Sequence, residues 1–187
     1  MPETLQDAIE KPSGRGPATV EDEYIVRPMQ ERDLPALEWD GEFLHFRRLF
    51  RQAYEEMLLG TRLLLMMENR KSGEMIGQVF IQWNSSDPRF ADGSRRGYLY
   101  ALRIKPAYRG RGLGTRMLLA AETEMLRRGM ITASIGVEKA NLRARALYER
   151  RGYRVIGDDP GRWSFVDHLG NPQDVVEPAW LMEKKLR

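Results

Sequence analysis

The sequence predicts an α+β domain on a mixed β-sheet, and three features carry that reading. A strand-like stretch, Tyr98 to Ile104, runs into a glycine-rich loop and then into a helix with apolar residues at steps of four. Strand and helix patterns keep alternating from there to Ile156, a βαβαβ order that implies parallel pairing with right-handed crossovers. Two further extended segments close the chain.

Composition narrows the classes. At 187 residues the chain fits one domain large enough to bury a core without disulfides or structural metal. The hydrophobic fraction of 42% and charged fraction of 30% are ordinary for a water-soluble globule, and no apolar run reaches membrane-spanning length. Met1 to Lys11 shows no basic region followed by an apolar one, so a cytoplasmic location is expected. With 0 cysteines, zinc thiolates, iron-sulfur clusters and a cysteinyl acyl-enzyme are excluded, and the 2 histidines have no helical partner at ligand spacing. No metal site is expected. Arg103, Lys105, Arg109, Arg111 and Arg116 crowd one stretch, which points to an anionic ligand.

Residues 1–23 combine prolines and glycines without hydrophobic period and read as a flexible leader to a single domain over residues 24–187. Tyr24 to Pro28 is a strand, followed by a helix capped by Asp33 with Pro35 in its first turn. Glu42 to Leu59 is a second helix, its stripe formed by Leu44, Phe46, Leu49, Phe50, Ala53, Met57 and Leu58. Leu63 to Glu68 and Met75 to Trp83 are strands joined by a turn, and Asn84 to Arg96 is too polar for a core and forms a surface loop. After the strand at Tyr98, a helix marked by Leu113, Met117, Ala121 and Met125 ends near Gly129. Ile131 to Val137 is a strand, Asn141 to Arg151 a helix, and Tyr153 to Ile156 opens the last strand-rich section. There Arg162 to His168 and Val175 to Leu186 flank the turn Leu169 to Pro172.

The loop Arg109 to Thr115, R-G-R-G-L-G-T, is the most specific local signal. Its glycines let the backbone approach an anion, and unsatisfied amides at the following helix N-terminus supply positive potential, with Arg109 and Arg111 adding charge. A nucleoside-triphosphate loop would require Gly-Lys-Ser/Thr, and a dinucleotide fingerprint would place its third glycine one residue beyond Gly114. Neither fits.

Arg109, Gly112 and Gly114 match the pattern [RQ]-x-x-G-x-[GA], and with Leu102 to Tyr108 before it and Gly136 to Tyr153 after it the chain resembles the GNAT superfamily of acyl-CoA-dependent N-acetyltransferases. The resemblance runs from about Tyr24 to Leu186. It implies a mostly antiparallel central sheet flanked by helices, with one parallel pair splayed near Ile104 and Val137 to admit the pantetheine arm of acetyl-CoA. Leu102 and Ile104 would meet that arm through main-chain groups, and the amides of Gly110, Arg111, Gly112, Gly114 and Thr115 would hold the pyrophosphate. An amide near Leu102 would stabilise the oxyanion as an amine attacks the thioester directly, without an acyl-enzyme. Asn141 and Tyr148, seven apart, share one helix face toward the cofactor. Tyr148 matches the family's general acid for the leaving thiolate; Asn141 also has the character of a helix cap.

The base is open, because Y-L-Y-A-L-R-I carries no acid where many family members place one. Candidates are relayed water, Glu42, His45, Tyr98 and Tyr100. The expected acceptor is a small-molecule amine, in a pocket formed by Glu42 to Phe50, the loop about Asp87 to Asp92, and Trp163 to His168. Asp40, Glu42, Asp87 and Asp92 favour a cationic one such as an aminoglycoside or polyamine. A peptide amine and a non-catalytic CoA sensor are the alternatives. Nucleic acid is not an expected partner, since no aromatic-basic motif or reading helix accompanies the charges, and neither is a membrane. A homodimer is compatible with this reading.

Overall fold

The computed structural model describes residues 23–187, so all of the expected leader except Glu23 lies outside the described residues. Nine strands are β1 (Tyr24–Pro28), β2 (Arg62–Asn69), β3 (Met75–Gln82), β4 (Arg96–Ile104), β5 (Thr132–Glu138), β6 (Arg154–Asp159), β7 (Arg162–Val166), β8 (Pro172–Val176) and β9 (Ala179–Lys185). The α-helices are α1 (Arg47–Leu58), α2 (Leu113–Arg127) and α3 (Leu142–Arg150). Seven strands form one sheet in the order β1-β2-β3-β4-β5-β9-β6, and β7 and β8 pair as a separate ribbon. Every pairing in the large sheet is antiparallel except β4 with β5.

Alternation along β2 divides the core. Leu65 and Met67 join the cluster beneath α2 and α3, whereas Leu64 and Met66 face Phe50 and Ala53 of α1 on the other side. Helix α2 buries Leu113, Met117, Ala121 and Met125, the steps of four read from the sequence. It ends with Met130 N–H donating to the Met125 carbonyl (2.9 Å) around Gly129, whose φ of 85° suits a residue without Cβ. Helix α3 closes the same way, Tyr153 N–H reaching the Tyr148 carbonyl at 3.0 Å around Gly152. A buried network then ties the helix layer to the sheet. Glu122 of α2 accepts from Tyr153 Oη (3.0 Å) and from Lys184 Nζ of β9 (2.7 Å).

Several elements depart from expectation. Residues Glu31–Gly41 form a 3-10 helix after Gln30, and Asp33 is its third residue, accepting from the Gln30 amide at 2.8 Å rather than standing before the helix. Pro35 inside that segment removes a donor, which suits the shorter-ranged 3-10 pattern. The second helix begins at Arg47 after a short 3-10 turn, Leu44–Phe46, and its expected stripe residue Leu58 is 70% exposed. The extended segment from Val175 breaks at Pro178 into β8 and β9. Strand β9 then enters between β5 and β6, pairing antiparallel with both, so the second βαβ unit gains no parallel pair of its own.

Arg27 fastens the first strand to the 3-10 segment. Its guanidinium makes a forked pair with Asp33 (2.7 and 2.9 Å) and donates to Glu68 at 2.8 Å. Burial pushes the Asp33 carboxyl up, but Arg27 and the Gln30 amide more than offset that and hold it below its ordinary value. Because the folded pKa is depressed, this stabilisation is present above about pH 4 and fades as pH falls through the lowered value. Asp33→Asn is expected to lower the unfolding free energy by about 2 kcal/mol at neutral pH, with the gap to the parent narrowing below pH 4; urea titration at both pH values checks it.

Candidate active site

Where β4 and β5 meet they are paired only from Arg96↔Thr132 to Leu99↔Ile135. Beyond Leu99, β4 keeps to β3 through Phe80↔Tyr100, Gln78↔Arg103 and Gly77↔Ile104, while β5 keeps to β9 through Gly136↔Leu181 and Val137↔Trp180. The two strands part because Ala101 adopts a φ of 51°, and the β3 register shifts between Gln78 and Phe80, so that Ala101 and Leu102 lie opposite Val79 alone. A non-glycine residue in the left-handed region is strained, and such strain concentrates at functional sites.

The opening is a cleft of about 530 Å³ with Leu102 and Ile104 on one wall and Asn141, Ala144, Leu147 and Tyr148 of α3 on another. At one end lie Arg109, Gly110, Gly112, Gly114 and Thr115. Gly110 and Gly112 have φ of 80° and 77°, a turn that an L side chain would strain. The first bond within α2 runs from Arg116 N–H to the Gly112 carbonyl (3.1 Å), so the amides of Leu113, Gly114 and Thr115 have no acceptor inside the helix. They form a cradle at the positive end of its dipole.

Of the residues read from sequence, nine gather here: Leu102, Ile104, Arg109, Gly110, Gly112, Gly114, Thr115, Asn141 and Tyr148. Arg111 does not line the cleft; its guanidinium turns back to the Tyr24 hydroxyl (3.3 Å) and the Ala107 carbonyl (3.4 Å) and lies over the Tyr108 ring. Arg109 Nε donates to the Ile104 carbonyl at 2.9 Å, bracing the loop against the end of β4. Asn141 caps α3, its Oδ1 accepting from the Ala144 amide at 3.0 Å. Tyr148 is 5% exposed, and burial pushes its phenol above the usual tyrosine range.

Other lining residues escaped the sequence reading. Arg143 and Arg150 of α3 join Arg109 and Arg103, both already picked out in the basic stretch, so four guanidinium-bearing residues line the cleft, and among the described residues no carboxylate or imidazole does. Their positive field suits a polyanion. Arg143 and Arg150 are seven apart, a spacing that places both on one helical face and was the available signal. Trp39 and Phe43 wall the far side. Trp39 and Asp40 both hold positive φ, 46° and 56°, ahead of Gly41, and this bend brings the Trp39 ring edge-on to Phe43 at 5.2 Å.

The candidates for the base lie elsewhere or are held protonated. Glu42 and His45 do not line the cleft, and the His45 ring sits 4.0 Å from that of Phe46. Tyr98 and Tyr100 stack at 5.6 Å on β4. Burial pushes the Tyr98 phenol up, reinforced by Asp159, against a hydrogen bond with the Gly136 backbone. Burial likewise raises Tyr100, although Arg62 donates to its hydroxyl. Of the four acids expected to attract a cation, two are engaged in the surface loop: Asp87 pairs with Arg89 at 2.7 Å, and Asp92 accepts from the amides of Ser94, Arg95 and Arg96. Burial acts on Asp92 in the opposite sense, but those amides bring its carboxyl down to about 2. Among the described residues no cluster of metal-ligating side chains occurs, and no helix is long and apolar enough to cross a membrane.

Comparison with known proteins bears on the family and the fold. The chain is 37% identical over 70 residues to the mycothiol acetyltransferase of Propionibacterium freudenreichii subsp. shermanii, a match covering 37% of this chain and 22% of that protein. It is 26% identical over 140 residues to the mycothiol acetyltransferase of Saccharomonospora viridis, covering 74% of this chain and 44% of that one. The chain thus matches less than half the length of either curated relative. The crystal structure of the PaiA N-acetyltransferase from Thermoplasma acidophilum in complex with coenzyme A shares the fold, with a TM-score of 0.62 at 18% identity over 87% of this chain and 98% of that one. With the profile of the Acetyltransferase (GNAT) family matching residues 26–153, this chain belongs to that family.

Proposed function

We propose that this chain transfers the acetyl group of acetyl-CoA directly to an amine, in a cytoplasmic setting and without a covalent acyl-enzyme. The carrying observation is the parting of β4 from β5 beside the free amides of α2, in a cleft whose described lining includes Arg109, Arg143 and Arg150 and no carboxylate. That combination fits a long ligand with an apolar arm and a diphosphate end. The amides from Gly110 to Thr115 would hold the pyrophosphate, aided by Arg143 and Arg150, and main-chain groups of Leu102 and Ile104 would pair with the arm.

The chemistry then needs few side chains. The amine nitrogen attacks the thioester carbon and forms the C–N bond, a main-chain amide near Leu102 supports the oxyanion, the adduct gives up its extra N–H proton to solvent, and its collapse restores the carbonyl and breaks C–S. The electron pair leaves on sulfur. Tyr148, kept protonated by burial, gives that sulfur its proton and recovers one from water. With no carboxylate or imidazole among the described lining side chains, a protonated acceptor loses its ammonium proton to solvent before attack, so the reactive acceptor is the neutral amine. Among the described lining residues none is cysteine or serine, which fits direct transfer better than a two-step route.

Incubation with acetyl-CoA and a panel of amines is expected to release CoA thiol only when an acceptor is present; tight CoA binding without release on any amine favours a sensor instead. Tyr148→Phe should lower kcat by about 100-fold while the affinity for CoA moves less than about twofold, and an unchanged kcat removes Tyr148 as the acid. The value of kcat/KM should climb about tenfold per pH unit up to the pKa of the amine, as delivery of a neutral acceptor requires. A plateau above about pH 7 would instead reveal a protein base.

A further inference from the structure

Arg103 differs from its neighbours. Arg27, Arg62 and Arg96 each end on a carboxylate, and Arg109 donates to a carbonyl. The guanidinium of Arg103 instead lies over the Phe43 ring, 4.2 Å from its centroid, and 5.8 Å from that of Phe46. Its Nη1 is buried and has no hydrogen-bond partner among the described residues. Glu177 and Glu42 act on it electrostatically, yet burial outweighs both and lowers its pKa. A buried guanidinium with a donor unmet is rare, because water is lost and nothing replaces it. The flat fork of donors matches the two oxygens of an oxyanion.

The face on which Arg103 lies separates it from the phosphate cradle. Tyr98 and Tyr100 stack on one side of β4, and after the bulge Arg103 reaches Phe43 and Phe46, which pack with Tyr100 and Ala101 against the core under α1. Ile104, one residue on, belongs to the opposite cluster with Leu113 and Met117 of α2. A diphosphate held at the start of α2 therefore approaches from the side away from the Phe43 wall.

We propose that Arg103 recognises a carboxylate or comparable oxyanion carried by the amine acceptor, so that the acetylated amines are those of amino-acid type, with apolar parts resting on Phe43 and Phe46. The inference rests on the acetyl-transfer reading of the same cleft and replaces the cationic acceptor that the acidic residues suggested. Asp40, Glu42, Asp87 and Asp92 do not line the cleft, whereas Arg103 does.

The test measures thiol release from acetyl-CoA with the standard L-amino acids, each against its carboxamide, plus phenethylamine and the phosphonate analogue of phenylalanine. Oxyanion-bearing acceptors should exceed their neutral counterparts by about tenfold or more in kcat/KM, mainly through KM. Arg103→Met should remove that preference, leave the KM for acetyl-CoA within about twofold, and melt no lower than the parent, since a buried unpaired charge is lost. In parallel, calorimetry with CoA present should detect binding of the preferred amino acid to the parent and not to Arg103→Met. Equal use of carboxylates and carboxamides by the parent overturns the proposal while acetyl transfer stands. A rise in the KM for acetyl-CoA that is the same for every amine also overturns it, giving Arg103 to the cofactor. Silence with every amine overturns the acetyl-transfer reading itself.

Discussion

The structure turns on one backbone event, the extra residue at Ala101 that separates β4 from β5. A parallel pair that parts midway withdraws from each strand the support of the other. Each strand is therefore secured on its far side: β4 by β3, and β5 by β9, drawn from the end of the chain. The insertion of β9 between β5 and β6 is thus a condition of the cleft rather than a detail of topology. The edges that face the opening are then available to a ligand that is itself rich in amide groups.

Charge follows the same division. The helix start presents amides, the walls present guanidinium-bearing side chains from β4, the loop and α3, and the carboxylates of the surrounding loops are engaged by turns and local ion pairs. Burial raises the phenols of Tyr98, Tyr100 and Tyr148. The dry centre of the molecule is consequently a place where protons are retained and added negative charge meets cations. That polarity accords with a reaction whose leaving group is a thiolate and whose attacking group arrives uncharged.

Much of this was legible in the sequence because it depends on local patterns. The steps of four in α2, the glycines before it, the cap at Asn141 and the alternating strands each arise from neighbours within one or two turns. The bulge was not legible: Y-L-Y-A-L-R-I contains no glycine, and its positive φ falls on an alanine forced there by the register on β3. The position of β9 was hidden for a related reason, since pairing at a distance leaves no local mark. Arg111 and Arg103 look alike in sequence. One turns outward onto Tyr24 and Tyr108 and the other inward onto Phe43, a difference decided by which side of β4 and its loop each occupies.

The cradle at the start of α2 consists of peptide groups, and that has an evolutionary consequence. A gene that encodes it must preserve the left-handed turns at Gly110 and Gly112 and the point at which α2 begins, because these set where the amides point. The opposite wall is different in kind, because Trp39, Phe43 and Arg103 line the cleft with side chains. One wall of the cleft is thus inherited as backbone shape and the other as side-chain identity.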